Sequence, residues 1–449
     1  MPERLFGLVE REVARAGGGE AELCVYRARV RRFDARDGGI DALSFSDTRA
    51  LGVRVFRDGR MGFSYAFRDD EDGVRRMVEA AVFCAGASDP DPAYALPGPA
   101  DGAVPGPGAD IPLYDAACET LDDDAKAGFA RELEARTIAF DPRIKRVRSA
   151  SLRETVAETA VVSSAGLRAS GRESSYFAAV DSVAEEGAEG QTGYGFGFAR
   201  RLADFDLGAI AAEGGRRAVR MLGARPLRTG RYAAVLENGA AAELLEVLIP
   251  SLLGSQVAKG KSMLAGKLGE TVASQAIEIA DDPLCPEGSG AAPFDGEGIR
   301  SRRNLLVDGG ALRTFLADSF WGRKLGTGST ASCRRPSPKS PPTVGIGNLR
   351  IAPGSRDLAA MLREAGSGIL LTEFLGIHTA DPVSGDFSVG AVGIRFDGGE
   401  EREPVRGFAV SGNVLDLLKR VAEAGSDFRW FGNVGSPSLA VPAIDVGGA

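Results

Sequence analysis

The residues at 376–393 read G-I-H-T-A-D-P-V-S-G-D-F-S-V-G-A-V-G and contain His378, the only histidine among 449 residues. Asp381, Ser384, Gly385, Asp386 and Ser388 follow close behind it. Carboxylates, hydroxyls and glycine N–H groups crowded into one turn suit two jobs. Successive N–H groups in such a turn can form a nest for an anion or a peptide backbone. The same residues also make a tight turn, with Asp386 capping it ahead of a strand over 388–396. Both readings stay open from the sequence. A lone histidine limits metal chemistry more sharply. A zinc site of the usual kind takes two or three imidazoles, or thiolates in their place, and this chain cannot supply the imidazoles. A serine nucleophile paired with His378 lacks the G-x-S-x-G elbow that would expose it. Phosphate loops are missing too, since 259–262 (K-G-K-S) resembles only the end of one.

Composition narrows the field. With 44% hydrophobic and 26% charged residues the chain reads as a globular protein of two or three domains. A net charge of −8 opposes nucleic acid or an anionic membrane as the main partner. The five cysteines (Cys24, Cys84, Cys118, Cys285 and Cys333) are scattered and odd in number, which reads as free thiols in a reducing cytoplasm. The N-terminus carries acids and no apolar core of a signal peptide, and no apolar run is long enough to span a bilayer. The 60 glycines point to turns and β structure rather than a helical bundle.

The periodicity gives the elements that must position the 376–393 run. Helical spacing over 3–16 stops at Gly17, and from Ala21 the period changes to two through 65, with 57–60 (R-D-G-R) as a hairpin turn. Helical spacing returns over 71–86. These residues, 1–86, make a first α/β segment. Residues 87–112 hold seven prolines and no periodicity, and read as a stiff linker. Residues 113–226 form the middle segment. A helix there opens on Asp122, Asp123 and Asp124, strands run over 145–200, and a helix covers 208–222. Residues 227–449 form a C-terminal domain. It has a strand at 232–236, a strongly apolar helix at 240–253, strands near 304–307, 369–374, 388–396 and 408–410, and a helix near 414–424. The loop at 333–342 (C-R-R-P-S-P-K-S-P-P) reads as a mobile, basic surface loop, with a peptide- or partner-docking role as the other reading. The fold class is α+β: an N-terminal half of helices on antiparallel sheet, and a C-terminal mixed, β-rich domain with helices.

The run at 376–393 resembles the signature of the TldE/PmbA proteins, partners of the TldD metalloprotease. Residues 47–66 resemble that family's N-terminal segment, 262–274 and 319–326 its C-terminal domain, and the tail V-G-S-P-S-L-A-V-P-A-I-D-V-G-G its closing strand. The resemblance spans nearly the whole chain. It implies one subunit of a cytoplasmic, heteromeric zinc protease acting on unfolded or extended peptides, including leader peptides of modified peptide antibiotics. The older family label, modulator of DNA gyrase, carries no support from the acidic charge. In the TldD-type subunit, H-E-x-x-x-H and a late cysteine hold zinc. The matching slots here are 245–250, where Leu245 and Pro250 replace the histidines and only the acid, Glu246, remains. No cysteine follows Cys333. The resemblance therefore implies no metal in this chain and zinc in a TldD-like partner. It places His378, Asp381, Ser384, Gly385, Asp386 and Ser388 in a loop beside a shared peptide channel, where exposed strand edges grip the peptide backbone. Glu246 has a plainer reading as an exposed acid on the helix's polar side with Glu243. Two rival expectations are a homodimeric peptide-binding scaffold and a stand-alone hydrolase of another mechanism.

Overall fold

The period-two pattern after Gly19 builds one long antiparallel sheet. The computed structural model describes residues 2–103 and 108–448, so the linker positions 104–107 lie outside the described residues. Strands β1 (Glu20–Arg36), β2 (Gly39–Arg57), β3 (Arg60–Ala66), β4 (Ile144–Ser163), β5 (Arg168–Glu186) and β6 (Glu189–Ala199) pair in the order β3-β2-β1-β4-β5-β6. The first and middle segments thus share a single sheet, joined where β1 lies against β4 from Glu22↔Ser163 to Ala35↔Ala150. The turn at 57–60 is the expected hairpin, with Asp58 at φ 51° and Gly59 at φ 67°.

Four helices cover one face of this sheet. Helices α1 (Pro2–Arg15) and α2 (Glu71–Ala87) bury Leu5, Phe6, Val74 and Met77 against Leu23 and Val53. Helices α3 (Asp123–Phe140) and α4 (Leu207–Arg220) bury Leu133 and Ile210 against Phe33, Leu152 and Val180. Leu23 and Phe33 are an even number of residues apart on β1, so both helix pairs lie on the same side. Glycine lets α4 approach closely: a Cβ on Gly193 would sit 2.1 Å from the Gly214 carbonyl oxygen, and one on Gly195 2.3 Å from that of Ile210.

The opposite face meets the C-terminal domain. Cys24, Val161 and Ala169 pack on Phe294, Ile299 and Ala331. Beside them lies a buried ionic cluster. Arg54 donates to both oxygens of Glu22 at 3.0 and 2.5 Å and to Glu297 at 3.0 Å, and Arg335 also donates to Glu22. The linker is held as well, because Arg323 donates to the carbonyls of Ala93, Ala95 and Leu96 and to Asp101.

The C-terminal domain holds two larger sheets. In one, Leu439–Gly447 pairs with both Gly230–Leu236 and Glu400–Asn413, and Ser367–Leu375 and Asp386–Asp397 fill the space between. These five strands therefore close on themselves. The short strands Arg225–Pro226 and Glu423–Ala424 pair alongside this closed set, on Glu400–Asn413 and Leu439–Gly447. The other sheet has six short strands, with Ile279–Asp281 and Leu349–Ile351 at its centre. Helix α5 (Asn238–Leu252) buries Leu244, Leu245 and Leu248 in the core between them.

Two local expectations change. The helix near 414–424 is only Val414–Lys419, because the Ala422 N–H bonds to the Ala440 carbonyl and Glu423–Ala424 joins the sheet. The loop at 333–342 is docked against the N-terminal sheet. Arg335 reaches Glu22, and the Lys339 ammonium lies 5.5 Å from the centre of the Phe67 ring. All five cysteines are free thiols. Among the described residues no helix is long and apolar enough to cross a membrane.

Candidate functional site

Helix α5 is apolar over most of its surface, as a helix buried between layers should be. Its three slots from the zinc-motif register fare differently. Leu245 is fully buried in the C-terminal core. Pro250 is half-buried in the last turn, where its missing N–H helps end the helix at Leu252. Glu246 alone faces outward, into a cavity of 530 Å³ between α5 and the β6–α4 layer. Glu243, one turn earlier, lines the same cavity, and so does Glu373 from the strand Ser367–Leu375. Tyr194, Phe196 and Arg217 form the opposite wall.

Glu243 is positioned by a sheet irregularity. The register of Ser367–Leu375 against its neighbour slips between Leu371 and Glu373, and Glu243 accepts the Phe374 N–H at 3.1 Å. Burial pushes the Glu243 carboxyl up to about 7. The Phe374 N–H opposes that rise, and the nearby Glu373 and Glu246 charges add to it. Burial also raises Glu246 above its ordinary range. The cavity thus holds a carboxyl whose protonated form burial favours, beside three further acids, Glu237, Glu246 and Glu373. Among the described residues no group of three or more His, Cys, Asp or Glu is placed to hold a metal ion. Carboxylates without an imidazole or thiolate are a poor donor set for zinc. Glu373 was hidden in the sequence, because which way it points depends on the register slip beside it.

The 376–393 loop meets α5 at the other end of the helix. Residues Ile377–Thr379 form a short helical turn with His378 exposed on it. Ser251 of α5 donates to the Pro382 carbonyl at 3.2 Å. Ser251 lies about 12 Å along the helix axis from Glu243. The loop's donors are spent within it. The Asp381 carboxylate accepts the N–H groups of Val383 at 2.7 Å and Ser384 at 3.2 Å. The Gly385 N–H goes to the Asp381 carbonyl, that of Asp386 to Ser384 Oγ, and that of Asp381 to the Asp386 carbonyl. Gly385 has φ 83° and fits closely over the Met263 sulfur. Asn413 binds the Ser384 carbonyl and the Asp386 carboxylate, each at 2.8 Å, while its own oxygen caps the helix Val414–Lys419. Hydrogen bonds from Asn413 and Ser384 hold the Asp386 carboxyl below its ordinary range. Ser388 is exposed at the start of the following strand. The loop is a self-satisfied turn that offers side chains, not an open cradle of N–H groups.

Comparison with known proteins covers the same elements. Three domain families match in order: PmbA/TldA metallopeptidase domain 1 at 21–85, the central domain at 117–222 and the C-terminal domain at 229–448. A metalloprotease PmbA of Escherichia coli O157:H7 is 26% identical over 97% of this chain and 94% of its own length. A metalloprotease of Methanothermobacter thermautotrophicus is 28% identical over 92% of this chain and 89% of its own. The crystal structure of TldE from Thermococcus kodakarensis superposes with a TM-score of 0.89 at 23% identity, over 99% of this chain and all of that one. A structure from Thermotoga maritima described as a putative modulator of a DNA gyrase gives 0.90 at 24%, over 99% and 100%. At that identity the two structures speak for the fold.

Proposed function

The chain belongs to the PmbA/TldA metallopeptidase family, and on that premise we propose that it is the metal-free subunit of a two-subunit zinc protease for unfolded or extended peptides. One observation carries this reading. Where the family resemblance puts the zinc-binding helix, α5 turns Leu245 into the core and shows the cavity Gly239, Ala242, Glu243 and Glu246, with no imidazole or thiolate among them. A zinc ion bound by a TldD-like partner would supply the Lewis acid and the activated water. This chain supplies the wall of the chamber. Its Glu243 and Glu246 carboxyl groups, both favoured toward the protonated form by burial, hydrogen-bond the amide or amine groups of an extended peptide. The loop of His378, Asp381, Ser384, Gly385, Asp386 and Ser388, pinned to the end of α5, faces the peptide or the partner.

The test is co-purification with a TldD-like subunit, followed by zinc analysis and a peptide-cleavage assay. One zinc per pair, none in this chain alone, and cleavage only by the pair are expected. Stoichiometric zinc in the isolated chain together with turnover of an unfolded peptide would sink the proposal.

A further inference from the structure

The cavity beside α5 does not end at its acids. It runs on into a second cavity of 470 Å³ between α4 and the C-terminal domain, and Phe196, Arg217, Arg220 and Glu237 line both. The two ends carry opposite charge. At one end Glu243, Glu246 and Glu373 have no ion-pair partner among the described residues. At the other end α4 sets Glu213, Arg216, Arg217 and Arg220 on one helical face, and Arg429 joins them. Arg220 is matched by Glu237 and Glu401, at 2.9 and 3.0 Å. Arg217 and Arg429 share the single carboxylate of Glu213. Arg216 has no ion-pair partner among the described residues. The basic end therefore keeps a surplus of guanidinium over carboxylate. Phe196 is the wall between the ends. Its ring lies 5.9 Å from that of Tyr194 on the acidic side, and the Arg429 guanidinium lies 4.6 Å from its centre on the basic side.

We propose that this two-ended groove takes the C-terminal end of an extended peptide, with the terminal carboxylate among Arg216, Arg217 and Arg429 and a lysine or arginine side chain, about two or three residues earlier, over Glu243 and Glu246. The spacing sets that number. A Cβ on Gly239 would sit 3.9 Å from the Arg217 guanidinium, so Arg217 stands at the first turn of α5. Glu243 and Glu246 lie about 6 and about 10 Å farther along the helix axis. An extended chain advances about 3.3 Å per residue, which makes the gap two or three residues. Guanidinium groups suit a carboxylate because they can grip both of its oxygens. The peptide's cation gives the acids on α5 the counter-charge that the chain itself withholds, and the rings of Tyr194 and Phe196 offer its stem an apolar wall. A peptide lacking either charge leaves one end of the groove unmatched. The inference rests on the peptide-binding role proposed above for this cavity, and names the class of peptide and the direction in which it lies.

Calorimetric titration of the whole chain with the peptide acetyl-Ala-Lys-Ala-Ala, its C-terminal carboxylate free, tests this. Binding is expected. Amidating the C-terminus, or putting norleucine in place of the lysine, should each weaken it about tenfold or more. Arg216→Ala should narrow the preference for acid over amide about threefold or more and leave the preference for lysine over norleucine unchanged. Glu246→Gln should do the converse. Arg216 and Glu246 are both exposed, so unchanged melting curves certify the fold of each variant. No binding of the free acid, equal binding of acid and amide, or preferences that neither variant touches would each overturn the proposal. The titration uses this chain alone and involves no cleavage. Cleavage by a zinc-bearing pair together with indifferent binding here would remove this inference and leave the subunit role standing. Failed co-purification with both preferences intact would do the opposite.

Discussion

Replacing Arg54 with methionine isolates what joins the two halves of the molecule. Arg54 is 7% exposed, and the carboxylates it holds, Glu22 and Glu297, are 1% and 2% exposed. Burial alone would push Glu22 up, yet Arg54 and Arg335 together bring it below its ordinary range. Without Arg54, Glu297 keeps only the Ser319 N–H and hydroxyl, at 2.9 and 2.8 Å, while its neighbours Asp295 and Asp318 remain buried acids already pushed up to about 7 and about 6. Stranding a buried charge by deleting its partner costs about 3–5 kcal/mol. For a cooperative unit of roughly half this chain that is a fall in Tm of about 6–20 °C. The assay is thermal melting followed by far-UV circular dichroism and by tryptophan fluorescence. Both tryptophans, Trp321 and Trp430, lie in the C-terminal domain, so the two signals should separate if the halves uncouple. The deficit also has a pH signature. Arg54 and Arg335 hold the Glu22 carboxyl below its ordinary 4.5, so the stability they confer is present above that value and is lost as pH falls below it, and the gap to wild type should narrow at pH ~4 and lower. A variant within about 1 kcal/mol of wild type, or a deficit that ignores pH, would refute the idea that this cluster fastens the sheet to the C-terminal domain.

Glu243 gives an independent test with a definite sign. Its folded pKa of about 7 lies above the ordinary 4.5, so the folded state binds the proton more tightly and stability falls as pH rises between those values. Glu243→Gln, which still accepts the Phe374 N–H, should therefore stabilise the chain by about 1 kcal/mol at pH ~8 and change little at pH ~4, read by urea denaturation. Asn413→Ala removes both the tie to Ser384 and Asp386 and the helix cap at Leu415; it should cost about 1–2 kcal/mol and loosen the loop, seen as faster amide exchange at 381–386.

The elements with local causes were legible in the sequence. Helical spacing over 3–16, 71–86 and 240–253 became Pro2–Arg15, Glu71–Ala87 and Asn238–Leu252. Alternation exposed the long antiparallel strands, and R-D-G-R marked their turn. Readings failed where distant residues decide. Val414 begins a helix, but pairing with Leu439–Gly447 takes over from Glu423. Nothing near Arg335 announces Glu22, more than three hundred residues earlier, so a charged proline-rich loop passed for a free one. The closing of the C-terminal strands rests on the last residues of the chain and cannot be seen from any one of them. Of the candidate site, Glu246 was visible as an acid in an apolar helix. Glu373 was not, because a one-residue slip in register decides which way it faces.

The pairing of β1 with β4 also says how the polypeptide tolerates being severed. The proline-rich segment lies between them in sequence, while the strands themselves are bonded from Glu22↔Ser163 to Ala35↔Ala150. Two separately expressed pieces, divided within 87–112, each carry one side of that seam and a surface made to fit the other. The first piece is the smaller, and it depends on its counterpart for the second neighbour of β1, on the side away from β2, along nearly the whole length of that strand.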